Sequence, residues 1–225
     1  MGETEQGMDG FFDGIEETAK AFYDNCSDIP YIYKGMSNVE GVFLWRMIEV
    51  IRPATIFESG IGRGRSMEML LRAQSHYGVG RYVAVDIVPE RVEWAKERGV
   101  EAYCSTASDA FAKHIGGEER VVCCVDGPKG GESLRELMSL MDKNNGCLSM
   151  FTHDCVPRRK TYRTIKKFVS GATCDMIVPP QKAIDAISFV NGSYIKSILS
   201  ARQDVKIEEH LKRLTSVVFL FWGDQ

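Results

Sequence analysis

From residue 55 to residue 152 the chain alternates between two rhythms. Short runs apolar on both faces (55–58, 82–86, 100–104, 121–126 and 147–152) are separated by stretches with helical spacing (66–77, 89–98, 108–114 and 132–143). A strand with no polar face is covered on both sides. Such strands alternating with helices build a parallel sheet between two helical layers. The punctuation agrees, because Pro89 suits a first helical turn and Gly99 a C-terminal cap. Upstream, Phe11, Phe12, Ile15, Ala19, Phe22 and Tyr23 fall at helical spacing and predict an amphipathic N-terminal helix. A Pro/Tyr/Gly stretch follows from Pro30 to Met36. Ser37 with Glu40 then makes a capping box that opens a second helix to about Ile51, stopped near Pro53. Downstream, a helix is predicted over 161–169, then weaker strands at 174–178 and 216–222. Residues 180–213 carry no clear rhythm.

The pattern predicts an α/β, Rossmann-like, doubly wound architecture with helices on both faces of a mostly parallel sheet. A length of 225 residues suits one such domain and leaves little for a second. Within it, residues 1–52 are expected to supply N-terminal helices and 53–225 the alternating strand–helix core. The net charge of −3 offers no global attraction to a phosphate backbone, so no nucleic-acid partner is expected. Seven cysteines, an odd number, lack the paired spacings of a disulfide framework or zinc module. The acidic start (Glu3, Glu5, Asp9) lacks the basic and apolar regions of a signal peptide. No stretch approaches the ~18 apolar residues of a membrane span. The expected setting is therefore cytoplasmic, with no membrane partner.

The first predicted strand runs into Glu58-Ser59-Gly60-Ile61-Gly62-Arg63-Gly64-Arg65-Ser66, and a helix follows. Glycines there permit a sharp turn and let a ligand approach the backbone closely. The second strand ends in Asp86, 28 residues after Glu58. A carboxylate at that place can accept from both ribose hydroxyls of a nucleoside. A dinucleotide fingerprint would put its third glycine at position 65, where Arg65 stands, which argues against an NAD-dependent oxidoreductase. A purely structural turn is the competing explanation for the glycines.

This E-x-G-x-G-x-G run resembles motif I of the class I S-adenosylmethionine-dependent methyltransferases, with Asp86 in the ribose-binding place. Met36-Ser37 before the 42–51 helix, the glycine loop, and Ser105 to Asp109 after the third strand fall in the order of one branch. That branch is the small-molecule O-methyltransferases of the catechol, caffeoyl-CoA and macrolide-sugar types. The likeness covers roughly residues 35–170 and implies that residues 1–52 form a substrate lid and 53–225 the cofactor-binding and catalytic core. It implies a seven-stranded sheet with an antiparallel strand near the C-terminus and S-adenosylmethionine as cofactor. Glu58, Gly60, Gly62, Gly64, Ser66, Asp86, Ala107 and Ser108 would be its binding residues, Ser66 at the methionine end and Ala107 with Ser108 beside the adenine.

The fourth strand ends in Val125-Asp126-Gly127-Pro128-Lys129 and the fifth in Phe151-Thr152-His153-Asp154-Cys155. Neighbouring strand ends would turn Asp126 and Asp154 into one cleft, where two carboxylates suit a hard divalent cation such as Mg2+. Lys129, three residues past Asp126, is placed to take the proton of an acceptor hydroxyl if burial or a neighbouring cation depresses its pKa. The metal-dependent O-methyltransferases resemble this chain in the Asp126–Lys129 spacing and in Asp154. They carry Asn where Cys155 stands. Either His153 or water fills that place, the metal is softer, or there is no metal.

Competing readings remain for these residues. Aspartates at strand ends also cap turns, Gly127-Pro128 is a turn signal, and Lys129 can be solvated. The basic cluster of Arg158, Arg159, Lys160, Arg163, Lys166 and Lys167 is either a solvated helix face or a steering patch for an anionic substrate. Trp45, Trp94 and Trp222 are expected in packing. The N/D-P-P-Y signature of amino-group methylation on bases is absent. A domain that keeps the cofactor pocket without catalysis is the remaining alternative, kept open by Cys155. The expected partner is a hydroxylated small molecule, and a homodimer is left open.

Overall fold

The computed structural model describes residues 9–30, 35–115, 117, 120–127, 131–143, 147–153, 155, 159–172, 174–187 and 217–222. A 3-10 turn (Asp9–Phe12) precedes helices α1 (Ile15–Cys26) and α2 (Asn38–Ile51). Strands and helices then alternate: β1 (Thr55–Ser59), α3 (Arg65–Tyr77), β2 (Arg81–Asp86), α4 (Pro89–Lys96), β3 (Glu101–Cys104), α5 (Ala107–His114), β4 (Arg120–Val125), α6 (Gly131–Asp142), β5 (Cys147–Thr152) and α7 (Lys160–Val169). The chain continues through β6 (Cys174–Ile177), α8 (Gln181–Ala186) and β7 (Val218–Trp222). Helix α8 falls in the stretch whose pattern predicts nothing.

The seven strands form one sheet in the order β3-β2-β1-β4-β5-β7-β6. The first five are parallel; β7 runs antiparallel to both β5 and β6. This is the predicted doubly wound α/β architecture. Successive strand residues serve opposite layers, as the pleat requires. Ile56, Ala84, Val122, Cys124, Phe151 and Phe219 pack with residues of α1 to α4. Phe57, Val83, Val121, Cys123, Met150 and Leu220 pack with residues of α5, α6 and α7.

The N-terminal helices belong to the first of these layers. Ser37 caps α2 by accepting from the Glu40 N–H, while Glu40 Oε2 accepts from the Ser37 N–H at 2.8 Å. The predicted capping box is therefore formed. The helix stops where Arg52 takes a left-handed φ of 48°, just before Pro53. Eleven of its fourteen residues are buried, so its polar side chains must find partners inside the protein. Trp45 does so by donating to Met69 O at 3.1 Å; in β7, Trp222 likewise donates to Asp142 Oδ1 at 3.1 Å.

Candidate functional site

In the register of the sheet, Ser59 faces Val85 on one side and Val125 on the other, and Val125 faces Thr152. The loops that begin at Gly60, Asp86, Asp126 and His153 therefore leave one edge of the sheet together. Between β1 and β4 the winding direction reverses, and such crevices receive the ligands of open α/β sheets. A cavity of about 360 Å3 opens there, within the range of small-molecule sites.

The glycine turn forms its floor. Gly60, Gly62 and Gly64 have φ of 92°, 57° and 80°, a region that side chains disfavour. At Gly60 a Cβ would lie 2.6 Å from Gly127 N and 2.9 Å from Gly127 Cα, so this glycine lets two loops touch. Ser59 Oγ ties the same loops by donating to Gly127 O at 2.6 Å. At Gly64, the N-cap of α3, a Cβ would enter the Trp94 ring, at 2.0 Å from its nearest atom. At Gly62 a Cβ would meet nothing within 4 Å, and the N–H donates to Asp86 Oδ2 at 3.1 Å.

Asp86 is buried at the end of β2. Its Oδ1 accepts the Val88 N–H at 3.0 Å, and Arg91, half exposed, pairs with the carboxylate at 3.3 Å. Glu58 stands behind the turn and is fully buried. Tyr82 donates to its Oε2, whereas Oε1 has no partner in hydrogen-bond geometry among the described residues. Burial pushes the Glu58 carboxyl up to about 7. The charges of Asp126 and Asp86 add to the rise, and the nearby Ser66 and Tyr82 hydroxyls oppose it.

Asp126 reaches the opposite wall, its N–H donating to Ser59 O at 2.8 Å. Its Oδ1 meets His153 Nε2, and its Oδ2 lies 3.4 Å from Ser66 Oγ. Of the two carboxylates of the expected magnesium site, Asp126 is described and Asp154 is not. One Asp126 oxygen, Oδ1, already faces an imidazole. Among the described residues, no group of three or more His, Cys, Asp or Glu side chains is arranged to hold a metal ion. Lys129 and Asp154 lie outside the described residues, as does Arg158. Cys155 is buried, its Sγ 3.7 Å from His153 O.

Of the sequence-derived cofactor residues, the structure gathers Gly60, Gly62, Ser66, Asp86 and Ala107 on the cavity wall. Glu58 and Gly64 stand behind it, and Ser108 turns to Glu136 at 3.2 Å. Arg65 is a residue whose part the sequence pattern does not disclose. Its guanidinium is buried and donates to Met36 O (2.7 Å), Ile29 O (2.9 Å), Pro30 O and Asn38 Oδ1. It thus pins the segment that brings Gly35 to the cavity. The one visible signal was an arginine where a dinucleotide fold has glycine. Lys160, Arg163 and Lys167 of the basic cluster, with Arg135, line a separate cavity that shares no lining residue with this one.

No protein-family profile and no curated protein matches the chain in sequence. Solved structures do match in fold. The SAH-bound methyltransferase PaMTH1 of Podospora anserina superposes with a TM-score of 0.53 at 13% identity, over 100% of this chain and 98% of that one. The Bacillus cereus O-methyltransferase in complex with SAH gives 0.54 at 13%, over 98% and 94%. TomG of Streptomyces achromogenes, an O-methyltransferase involved in tomaymycin synthesis, was solved with SAM and gives 0.52 at 14%, over 95% and 90%. The chain therefore has the fold of the class I methyltransferases.

Proposed function

We propose that this chain binds S-adenosylmethionine in the cavity between β1, β2 and β4 and directs its methyl group to a hydroxyl of a small molecule. One observation carries the reading: the glycine turn at 60–64 and the buried carboxylate of Asp86 face a single cavity at the switch point of the sheet. Three structures with the same fold hold SAM or SAH. Asp86 is assigned the ribose hydroxyls, Gly60, Gly62 and Ser66 the methionine end, and Ala107 with Ser108 the adenine side. Glu58 braces the turn from behind. When bound, S-adenosylmethionine supplies a methyl group already activated on a sulfonium. The chain's own task is then to position the acceptor and exclude water. Asp126 faces that space, and Lys129 and Asp154, which follow β4 and β5 in sequence, are assigned as base and second carboxylate. The N-terminal helices and residues 180–213 are assigned the shaping of the acceptor pocket. Arg65 stands where a dinucleotide turn has its third glycine and so disfavours the NAD reading; its buried side chain is engaged by residues 29, 30, 36 and 38.

Calorimetric titration with S-adenosylmethionine, S-adenosylhomocysteine and NAD, on the wild type and on Asp86→Ala, tests the assignment. Micromolar binding of both adenosyl compounds, lost in the variant and absent for NAD, is the expected outcome. It would justify screening hydroxylated acceptors with and without magnesium. No binding of either adenosyl compound overturns the proposal.

A further inference from the structure

A string of buried ionisable groups runs from helix α2 to the cavity. Glu40 stands in the first turn of α2, with Oε2 held by the Ser37 N–H at 2.8 Å and Oε1 3.5 Å from His153 Nδ1. The other ring nitrogen, Nε2, meets Asp126 Oδ1. Glu40 and His153 are each only 3% exposed, whereas Asp126 lies on the cavity wall. Buried carboxylates persist only with donors or opposite charge beside them. An imidazole that donates from both nitrogens supplies both to the two carboxylates it separates.

We propose that Glu40 and His153 take the place of a divalent cation on Asp126. The imidazole N–H occupies the side of Oδ1 that a metal would use, and Glu40, anchored by the capping box, keeps the ring from turning away. Asp126 is thereby held with Oδ2 beside Ser66 and directed at the cavity, where it accepts a hydrogen bond that orients the acceptor's hydroxyl, Lys129 keeping the role of base. His153 and Glu40 are positioning residues: they act through Asp126 and do not line the cavity. The string also joins α2 to the catalytic edge, so the N-terminal helices and the site are ordered together. What Asp126 faces rests on the methyl-transfer reading; the string itself does not.

Three measurements on the full chain test this. With histidine side chains labelled in 15N, the Nε2–H of His153 is expected as a downfield ring signal that exchanges slowly with water. It should vanish in His153→Gln and move in Glu40→Gln. In the latter the amide oxygen still accepts from the Ser37 N–H, so the cap survives. A His153 ring that exchanges as fast as an exposed histidine overturns the proposal. In the second measurement Mn2+, read by its free-ion resonance, is added to the protein with S-adenosylhomocysteine. The wild type is expected to leave millimolar Mn2+ free. Binding at about 10–100 μM, in the range of a built oxygen site, and abolished by Asp126→Asn, overturns the proposal. Once an acceptor is known, His153→Gln should lower kcat at least tenfold with the S-adenosylhomocysteine affinity unchanged within twofold; a merely structural role would lower both. If the wild type binds no S-adenosylhomocysteine, the methyl-transfer reading fails while the slow ring proton still reports the string.

Discussion

Gly60 and Gly62 sit two residues apart in one turn, yet alanine should act on them very differently. Both have positive φ, which costs an L-residue roughly 1–2 kcal/mol. Replacing glycine also restricts the unfolded chain, which returns about 0.4–1 kcal/mol. At Gly62 nothing else changes, because its Cβ would point into open space. The net loss for Gly62→Ala is then about 0.5–1 kcal/mol. At Gly60 the new Cβ would lie 2.6–2.9 Å from three backbone atoms of Gly127. Backbone cannot swing aside like a side chain, so an overpacking cost of roughly 1–3 kcal/mol is added. Gly60→Ala should therefore lose about 2–4 kcal/mol. For a chain of this size each kcal/mol lowers Tm by about 2–4 °C. Scanning calorimetry should thus find a drop of about 4–16 °C for Gly60→Ala and about 1–4 °C for Gly62→Ala. Equal shifts would refute the packing argument and leave backbone conformation as the whole cost.

Three further outcomes follow from the same geometry. Because Glu58 holds its proton up to about pH 7 when folded, against 4.5 for the free group, the folded chain binds the extra proton between those values and stability falls as pH rises through them. Urea melts at pH 5 and pH 8 should show a smaller difference in Glu58→Gln than in the wild type, and an unchanged difference would refute the assignment. Arg65→Ala strands several buried carbonyls, each worth roughly 1–3 kcal/mol when unsatisfied. It should lose at least about 3 kcal/mol in urea denaturation, and Arg65→Lys should restore less than half, since an ammonium lacks the fork that reaches Ile29, Met36 and Asn38 at once. Arg91→Ala removes a half-exposed ion pair, worth about 0–1 kcal/mol, that on the proposed assignment would compete with ribose hydroxyls for Asp86. Calorimetry should show S-adenosylhomocysteine binding equal or up to about fivefold tighter; tenfold weaker binding would make Arg91 itself a cofactor contact.

The parts of this protein legible in sequence are those specified by neighbours along the chain. Strand edges fall within a residue or so of the apolar runs because both faces are buried along the whole of β1 and along β4 after Arg120. The glycine turn and Asp86 were legible for a related reason: a turn of positive φ and a strand-end carboxylate are local demands, met by residue type alone. Helix α8 escaped because six residues with one buried position, Ala183, leave too short a pattern to show a period. The polar parts of the site escaped for a deeper reason. Glu40 already has a complete local explanation as a capping-box residue, and nothing nearby in sequence shows that its second oxygen faces His153, 113 positions on. Gly60 looks like a turn residue, yet its missing side chain also leaves room for the Gly127 backbone, 67 positions on. His153 invited a place in a metal site because its sequence neighbours are an aspartate and a cysteine, yet its ring is engaged by residues from two other elements. A side chain with a sufficient local role can carry a second role over distance at no cost in local pattern. The string of Glu40, His153 and Asp126 could therefore be found only once the sheet register had brought the ends of β4 and β5 beside the first turn of α2.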